Sequence, residues 1–322
     1  MTGARRPVTV VTGALGSGKT TLLRRHLASG ALPRTAVLVN ELGEVGLDQH
    51  QFSRLDERTV LLPGGCVCCS RRDDVSEALL DLLDAEGRGA SPRVDRVVLE
   101  TTGLADPAPV VATLLAHPVL RHQLAVDRVV TTVDAASVAR LPEQGPEWVQ
   151  QVVCADVLAV TKTDLVPAGE ADALVRRLAA LNPAAAVQPA AEVHLSGPAA
   201  RRGSSPTSRA GDVPALPSGA HLAGVTTSSV RWPGPVDWAA VAVWLSALLH
   251  AHGDRVLRVK GLLDTGGQGP LVLDGVQHVM HPPRHLPAWD GPRESQLVVI
   301  TRDLPAAEVT AALAAFLASS SR

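Results

Sequence analysis

The sequence contains no tyrosine, one isoleucine and no long apolar run, and its net charge is only -2. A membrane-spanning helix needs about 18 consecutive apolar residues, so we expect no membrane span. The charge lacks the positive excess that attracts nucleic acid or an anionic membrane, so we expect neither as a partner. The apolar run after Arg5 and Arg6 is only about six residues long, too short for a signal peptide. These absences indicate a cytoplasmic protein with reduced thiols.

Lysine is also scarce: the 30 basic residues include only Lys19, Lys162 and Lys260. Where charge alone suffices, this chain has arginine. The three lysines therefore mark positions that require a compact ammonium group or a thin side-chain stem. Two of them lie in motifs described below, whereas Lys260 lies in none that the residues alone define. The length of 322 residues and a hydrophobic share of 46% indicate a globular protein of about two domains.

A phosphate-loop motif runs from Gly13 to Thr20 and fits the pattern G-x-x-x-x-G-K-[ST]. A β-branched run at 7–12 precedes it, and apolar residues at helical spacing follow it. Strand, glycine turn and helix together direct backbone N–H groups and a positive helix end toward a phosphate. In such a loop Lys19 reaches the β- and γ-phosphates and Thr20 offers its hydroxyl to Mg²⁺. The predicted nucleotide-binding residues here are Gly13, Gly16, Ser17, Gly18, Lys19, Thr20 and Thr21. An ordinary glycine-rich turn is the alternative, and the matching context on both sides disfavours it.

A carboxylate, Glu100, ends the apolar run 96–100. Phosphate-loop proteins keep an acid at such a strand end to organise Mg²⁺ and water. Gly103 follows three residues later and could present its backbone N–H to the γ-phosphate, a contact that hydrolysis would remove. The alternative is a carboxylate that only caps the following turn. The phosphate loop upstream favours the functional interpretation.

The segment Thr161-Lys162-Thr163-Asp164 resembles the guanine-reading motif N-K-x-D. An Asp carboxylate that accepts two N–H bonds from the guanine edge rejects adenine, because the carboxylate would otherwise stay unpaired. The stem of Lys162 can pack over the base. Thr161 stands where the motif has Asn, which removes one amide. We predict that Lys162 and Asp164 contact the base.

Three of the four cysteines, Cys66, Cys68 and Cys69, follow a Gly-Gly turn. Three thiolates with room for a fourth ligand suit Zn²⁺ or another thiophilic ion, and an incomplete ligand set suits a site that passes its metal on. A redox thiol pair and buried small apolar residues are the alternatives. The third thiol, which makes the motif C-x-C-C rather than a simple C-x-x-C pair, weakens the first, and clustering at a glycine turn weakens the second.

The remaining metal-ligating residue types are less informative. Cys154 lies between a helical stretch and a buried strand, where packing is the favoured interpretation. His278, His281 and His285 lie across a strand end and the Pro282-Pro283 turn, and a second metal site there is the less favoured interpretation.

Apolar runs alternate with helical spacing through the first half of the chain. We predict strands at 7–12, 36–40, 59–62, 96–100, 128–133 and 157–160, with helices at 20–27 and 73–83. This alternation predicts an α/β fold of the P-loop NTPase type, with a mainly parallel sheet flanked by helices. The motifs follow strands, at the edge where ligands of such sheets bind.

The composition changes to Gly, Pro, Ser, Ala and Arg without periodicity after residue 195, which indicates a flexible linker. Beyond it we predict strands at 224–232, 255–263, 275–280 and 296–301, with helices at 236–250 and 306–317. These elements indicate a smaller α+β domain with an antiparallel sheet. The expected organisation is a nucleotide-binding domain with the cysteine motif at 1–195, a linker at 196–222 and an α+β domain at 223–322.

In order, the motifs of the first domain read G-A-L-G-S-G-K-T-T, V-N-E-L-G-E-V-G-L-D, G-G-C-V-C-C, E-T-T-G-L-A-D-P and T-K-T-D. Together they resemble the CobW-type GTPases, which are relatives of the metal-insertion GTPases that serve urease and hydrogenase. Gln151, Ala155 and Asp156 fit the same pattern. The stretch 257–263, which contains Lys260, is similar to the L-R-x-K-G strand of the family's C-terminal domain.

The resemblance implies slow GTP hydrolysis, Mg²⁺ at the phosphates and Zn²⁺ or a similar ion at the cysteines. It implies a metallochaperone or metal-cofactor assembly factor with a client metalloprotein, and it leaves a homo-oligomer open. By position, Lys19, Glu100 and Gly103 would act in catalysis and Asp164 would bind guanine. The first switch would be 41–48, with Glu41 and Glu44 as candidate additional ligands or switch residues. The linker lacks the histidine-rich tract of some members, so metal storage is not expected.

Two other functions remain as alternatives. An ATP-dependent P-loop kinase would need an acceptor site, and no feature of the sequence requires one. A nucleotide-binding regulator of metal homeostasis would bind nucleotide tightly with little turnover.

Overall fold

The computed structural model describes residues 5–39, 60–62, 73–136, 145–196 and 224–320. The chain folds into two compact units. One comprises Met1–Ala179 and Ala185–Ser205, and the other comprises Ala180–Ala184 and Pro206–Arg322. The boundaries expected from the sequence stay a prediction, since residues 197–223 lie outside the described ranges.

The first unit is built on a parallel sheet flanked by helices, which confirms the predicted fold class. Its described strands are β1 (Arg6–Gly13), β2 (Thr35–Val39), β3 (Val60–Leu62), β4 (Arg96–Glu100), β5 (Leu124–Asp134), β6 (Val157–Thr161) and β7 (Ala186–Pro189). Its described helices are α1 (Lys19–Ala28), α2 (Asp73–Gly87), α3 (Ala108–Ala116), α4 (Leu120–Gln123), α5 (Pro146–Cys154) and α6 (Ala168–Leu181). Short 3₁₀ turns occupy Thr163–Leu165 and Ala190–Glu192.

The strand order β3-β2-β4-β1-β5-β6-β7 places β1 near the middle of the sheet. The side chains of Val8, Val10 and Val11 are fully buried, as expected for a parallel strand that is covered on both faces. Leu22 and Leu23 of α1 belong to the same buried cluster as Val11. Because the strands are parallel, their carboxyl ends share one edge, and those of β4 and β5 lie on either side of β1.

The second unit is an antiparallel sheet with two helices. Its strands are β8 (Val225–Pro233), β9 (Val256–Leu263), β10 (Leu271–Val276), β11 (Val279–Met280), β12 (Arg284–His285) and β13 (Glu294–Arg302), and its helices are α7 (Trp238–His252) and α8 (Ala306–Ser320). The strand order is β11-β10-β9-β13-β8, with β12 paired to β10. Trp244 of α7 and Leu313 of α8 share one buried core with Val259, Leu273 and Leu297 of the sheet.

The predicted and observed secondary structures differ in several places. The strand predicted at 275–280 is wrong, because β10 ends at Val276 and β11 begins at Val279. Gln277 between them has a left-handed φ of 53°, and the chain reverses there within the stretch predicted as one strand. Strand β7 was not predicted, since only Val187 interrupts its small and polar residues. No helix in the described part of the chain is long and apolar enough to cross a membrane.

An ion pair between the buried Asp264 and the half-exposed Arg293 follows β9. The Asp264 side chain, only 2% exposed, accepts hydrogen bonds from Arg293 Nε at 2.6 Å and Nη2 at 2.8 Å, and from the Gly266 N–H at 2.8 Å. The Arg293 hydrogen bonds, helped by the Gly266 N–H, lower the pKa of Asp264, although burial acts in the opposite direction. A carboxylate with a lowered folded-state pKa stabilises the fold above the pKa that it has in the unfolded chain.

We therefore predict that the second unit loses stability as the pH falls through the ordinary Asp range toward the lowered pKa of Asp264. Asp264→Asn should be less stable than the wild type at neutral pH and should show a flatter pH dependence between about pH 5 and about pH 3. Urea unfolding followed by tryptophan fluorescence reports on this unit, which holds four of the five tryptophans. Asp290→Asn, a change at an exposed carboxylate in the same unit, is the control. Parallel stability curves for wild type and Asp264→Asn would contradict the assignment.

Candidate nucleotide-binding site

The phosphate loop connects β1 to α1 at the carboxyl edge of the sheet. Gly16 lies in its exposed turn, and Gly18 is the N-cap residue of α1. Lys19 and Thr20 open the helix, with Thr21 exposed in the same turn. The first backbone N–H groups of α1 and its positive end therefore point out of this edge, which is the arrangement that binds phosphate.

Gly13 marks the point where the loop passes closest to β5. Its φ is +136°, and a Cβ there would lie 2.4 Å from the Thr132 carbonyl oxygen and 2.5 Å from Thr132 Oγ1. Only glycine fits this position without a shift of the neighbouring strand. The Thr132 hydroxyl also contacts Ser17 Oγ at 2.6 Å, so β5 holds both ends of the loop.

The Lys19 side chain is 8% exposed and lies across its own loop. Its Nζ donates hydrogen bonds to the carbonyl oxygens of Gly13 at 2.9 Å and Ala14 at 3.1 Å. A phosphate oxygen would make a stronger, charge-assisted hydrogen bond than these neutral carbonyls. The ammonium group is therefore held inside the loop, beside the space that a phosphate would enter.

Thr20 and Glu100 meet across the carboxyl ends of β1 and β4. The Thr20 hydroxyl donates to Glu100 Oε1 at 2.6 Å, and Glu100 is only 4% exposed. A hydroxyl and a carboxylate side by side are hard oxygen donors of the kind that Mg²⁺ accepts. The donor set fits a magnesium ion bound to nucleotide phosphates.

Gly103 brings the loop after β4 against the phosphate loop. A Cβ on Gly103 would lie 2.5 Å from the Leu15 backbone nitrogen and 2.6 Å from Leu15 Cα, so any larger residue would push the two loops apart. Leu15 and Leu104 are 85% and 60% exposed beside this contact. The loop that follows Glu100 is thus placed directly on the loop that would hold the phosphates.

Thr161 links β6 to the phosphate loop. Its hydroxyl donates to the Ser17 carbonyl oxygen at 2.8 Å, and its methyl carbon would lie 3.4 Å from a Cβ on Gly18. Lys162 follows with a left-handed φ of 56°, and its Nζ pairs with Asp134 Oδ2 at 2.7 Å. Asp164 is exposed in the 3₁₀ turn Thr163–Leu165.

The other predicted ligands fall outside this description or do not cluster. Cys66, Cys68, Cys69, Glu41 and Glu44 lie outside the described residues. Within the described ranges no three His, Cys, Asp or Glu side chains form a group that could hold a metal ion. The three histidines at 278, 281 and 285 are described residues, so they form no such site. Cys154 is fully buried at the end of α5, in line with a packing role.

Sequence reasoning missed, or gave no role to, three residues that make contacts at the carboxyl edge of the sheet. Thr132 supports the phosphate loop, Asp134 pairs with Lys162, and the Gln151 amide donates to the carbonyl oxygens of Gly103 and Ala105. The sequence does contain a signal for Thr132 and Asp134. Polar residues interrupt the apolar run of β5, and a carboxylate ends that run as Glu100 ends β4. Nothing local indicates what Gln151 contacts.

Comparison with family models matched two parts of the chain. Residues 7–189 match the nucleotide-binding domain described as CobW/HypB/UreG, and residues 225–317 match the cobalamin synthesis protein CobW C-terminal domain. The two matches together cover most of both units.

Individual relatives agree with these matches. The zinc chaperone YjiA of Escherichia coli is 35% identical over 312 residues, 95% of this chain and 97% of that protein. The zinc-regulated GTPase metalloprotein activator 1 of Schizosaccharomyces pombe is 35% identical over 178 residues, and the alignment spans 42% of its length. A crystal structure of Zn(II)-bound YjiA GTPase from E. coli superposes with a TM-score of 0.68 at 32% identity, covering 97% of this chain and 99% of that one.

The close contact at Gly103 generates a prediction. Gly103→Ala should weaken binding of a non-hydrolysable GTP analogue by at least about tenfold, because the added Cβ must displace the Leu15 backbone. Titration with a fluorescent analogue measures this. Gly169→Ala in α6, where a Cβ meets nothing within 4 Å, is the matched control and should bind like the wild type. Unchanged affinity in Gly103→Ala would show that the contact does not shape the site.

Proposed function

The chain belongs to the CobW/HypB/UreG family, and from that premise we propose that it is a GTPase that binds zinc at Cys66, Cys68 and Cys69 and delivers it to a client metalloprotein. The observation that carries the proposal is the contact between two loops at the carboxyl edge, where Thr20 meets Glu100 and Gly103 meets Leu15.

The phosphate loop supplies the nucleotide site. The N–H groups at the start of α1 and the Lys19 ammonium would bind the phosphates, with Lys19 exchanging its loop carbonyls for phosphate oxygens. Thr20 and Glu100 would hold Mg²⁺, which neutralises the charge that develops on the phosphates during transfer. Gly103 would present its backbone N–H to the γ-phosphate from the loop that already touches Leu15.

Guanine selection is assigned to Asp164 and Lys162. The Thr161 hydroxyl is engaged by the Ser17 carbonyl, so Thr161 serves to fasten the base-reading turn to the phosphate loop. Its replacement of Asn leaves the carboxylate of Asp164 to accept the two N–H bonds of guanine. The stem of Lys162, tethered through Nζ to Asp134, would pack over the base.

The metal half of the proposal rests on topology and thiol chemistry. Strands β2 and β3 run parallel to β1 in one sheet, so the chain leaves Val39 and Leu62 at the edge that carries the phosphate loop. Glu41 and Glu44 follow the first exit in sequence, and the cysteines follow the second. Three thiolates with room for a fourth ligand suit a zinc ion in transit. The names of the relatives, zinc chaperone and zinc-regulated metalloprotein activator, support zinc as the cargo.

For base recognition, Asp164→Ala should lower affinity for GTP by about 10- to 100-fold and leave affinity for ATP unchanged, because charged hydrogen bonds to the guanine edge are lost. Competition of GTP and ATP against a fluorescent nucleotide measures both affinities. Thr163→Ala, a change at the exposed neighbour in the same turn, should behave like the wild type. A wild type that prefers ATP would overturn the guanine assignment.

For the coupled activity, we expect wild-type protein to hydrolyse GTP slowly, with a rate that changes when zinc is added. In the variant Cys66→Ser, Cys68→Ser, Cys69→Ser, zinc should no longer bind and the zinc-dependent change in rate should disappear, because serine hydroxyls are poor zinc ligands. Phosphate release with GTP and with ATP, with and without zinc, provides the measurement. Equal zinc binding by wild type and variant would place the metal elsewhere.

A further inference from the structure

We propose that Gln151 is a positioning residue that holds the loop Gly103–Ala105 against the phosphate loop and so sets how the protein distinguishes nucleotides with and without a γ-phosphate. The second half of this inference rests on the proposed function. The first half concerns the protein without nucleotide and can be tested alone.

The contacts of Gln151 single out one loop. Its Nε2 donates to the Gly103 carbonyl oxygen and to the Ala105 carbonyl oxygen, both at 3.1 Å. One side-chain amide therefore holds the backbone on both sides of Leu104, whose own side chain is exposed. Gln151 is only 1% exposed, and its hydrogen bond to Ala105 is buried while that to Gly103 is partly buried. The loop cannot move without breaking them or pulling Gln151 along.

The other end of Gln151 is anchored. Val149, Val152 and Val153 of α5 are buried at 1%, 0% and 0% exposure. The Gln151 carbonyl accepts a hydrogen bond from Thr131 Oγ1 of β5 at 2.6 Å. Because α5 is fixed to β5, the amide ties the loop to a rigid element rather than to another loop.

The far side of the loop touches the phosphate loop at Leu15. Gly103 packs on the Leu15 backbone with no room for a Cβ. Gln151, Gly103 and Leu15 thus form a continuous chain of contacts from α5 to the site of the phosphates. A γ-phosphate that draws the Gly103 N–H toward it must work against the two Gln151 hydrogen bonds. The strength of these bonds therefore sets how far the loop moves when a γ-phosphate binds.

The second amide atom of Gln151 suggests that this contact is adjustable. Among the described residues, Oε1 of Gln151 is buried without a hydrogen-bond partner. A buried acceptor left unsatisfied is costly, and here the two hydrogen bonds that Nε2 donates offset that cost. Oε1 is an acceptor that a second arrangement of the loop can use.

The test compares Gln151→Leu and the isosteric Gln151→Glu with Gln150→Leu in the full chain. Gln150 is the matched control, since it is the adjacent buried amide on α5 and its Oε1 also lacks a partner among the described residues. Without nucleotide, amide hydrogen exchange in 101–106 should accelerate by at least about tenfold in both Gln151 variants and not in the control. Glutamate is included because it keeps the shape but directs a carboxylate at two carbonyl oxygens. Wild-type protection in both Gln151 variants would overturn the inference.

The second readout is the ratio of affinities for a non-hydrolysable GTP analogue and GDP, with kcat and KM for GTP. We expect the affinity ratio to change by about tenfold in the Gln151 variants, through the GTP analogue rather than GDP and with a parallel change in KM, and kcat to fall by about tenfold. A purely structural role would lower thermal stability and affect both nucleotides equally. If the wild type hydrolyses GTP and the variants keep the wild-type affinity ratio and kcat, the switching role of Gln151 is wrong while the proposed function stands. If wild type neither binds nor hydrolyses GTP, the proposed function fails, and hydrogen exchange still decides whether Gln151 holds the loop.

Discussion

The candidate site depends on how closely two loops approach at the carboxyl ends of β1 and β4. Neighbouring strands lie about 4.8 Å apart, so the loops that leave them must either diverge or fit together. Here they fit together, with Thr20 hydrogen-bonded to Glu100 and Gly103 seated on Leu15 without room for a side-chain carbon. This contact makes the acid of β4 part of the phosphate loop's surroundings and places the backbone at Gly103 against the phosphate loop.

The remaining motifs are joined to that contact by short polar links. Thr132 of β5 supports Gly13 and Ser17, and Thr161 of β6 is bonded to the Ser17 carbonyl. Gln151 reaches the loop from α5. The carboxyl edge of the sheet is therefore a connected set of residues that runs from α5 and the loop after β4 through the phosphate loop to Thr161 at the end of β6.

The sequence was sufficient for elements whose chemistry is local. Glycines and Lys19 at fixed spacing predict the phosphate loop, and an acid after an apolar run predicts the place of Glu100. The sequence could not predict contacts that depend on the order of the strands in the sheet. Thr132 meets Gly13 only because β5 lies beside β1, and periodicity carries no information about that order. The reversal at Gln277 was missed for a different reason, since glutamine is an unusual residue at a left-handed φ.

The central claim is that nucleotide state and metal binding are coupled at this edge. Its physical basis is that the cysteines at 66, 68 and 69 lie in sequence between the predicted first switch, 41–48, and the loop after Glu100 that contains Gly103. The most direct test is the zinc affinity of the whole protein, measured by competition with a chromophoric chelator, first with a non-hydrolysable GTP analogue bound and then with GDP. Coupling predicts that the two affinities differ by at least about fivefold, the lower end of common coupling energies. Equal affinities in the two states would contradict it.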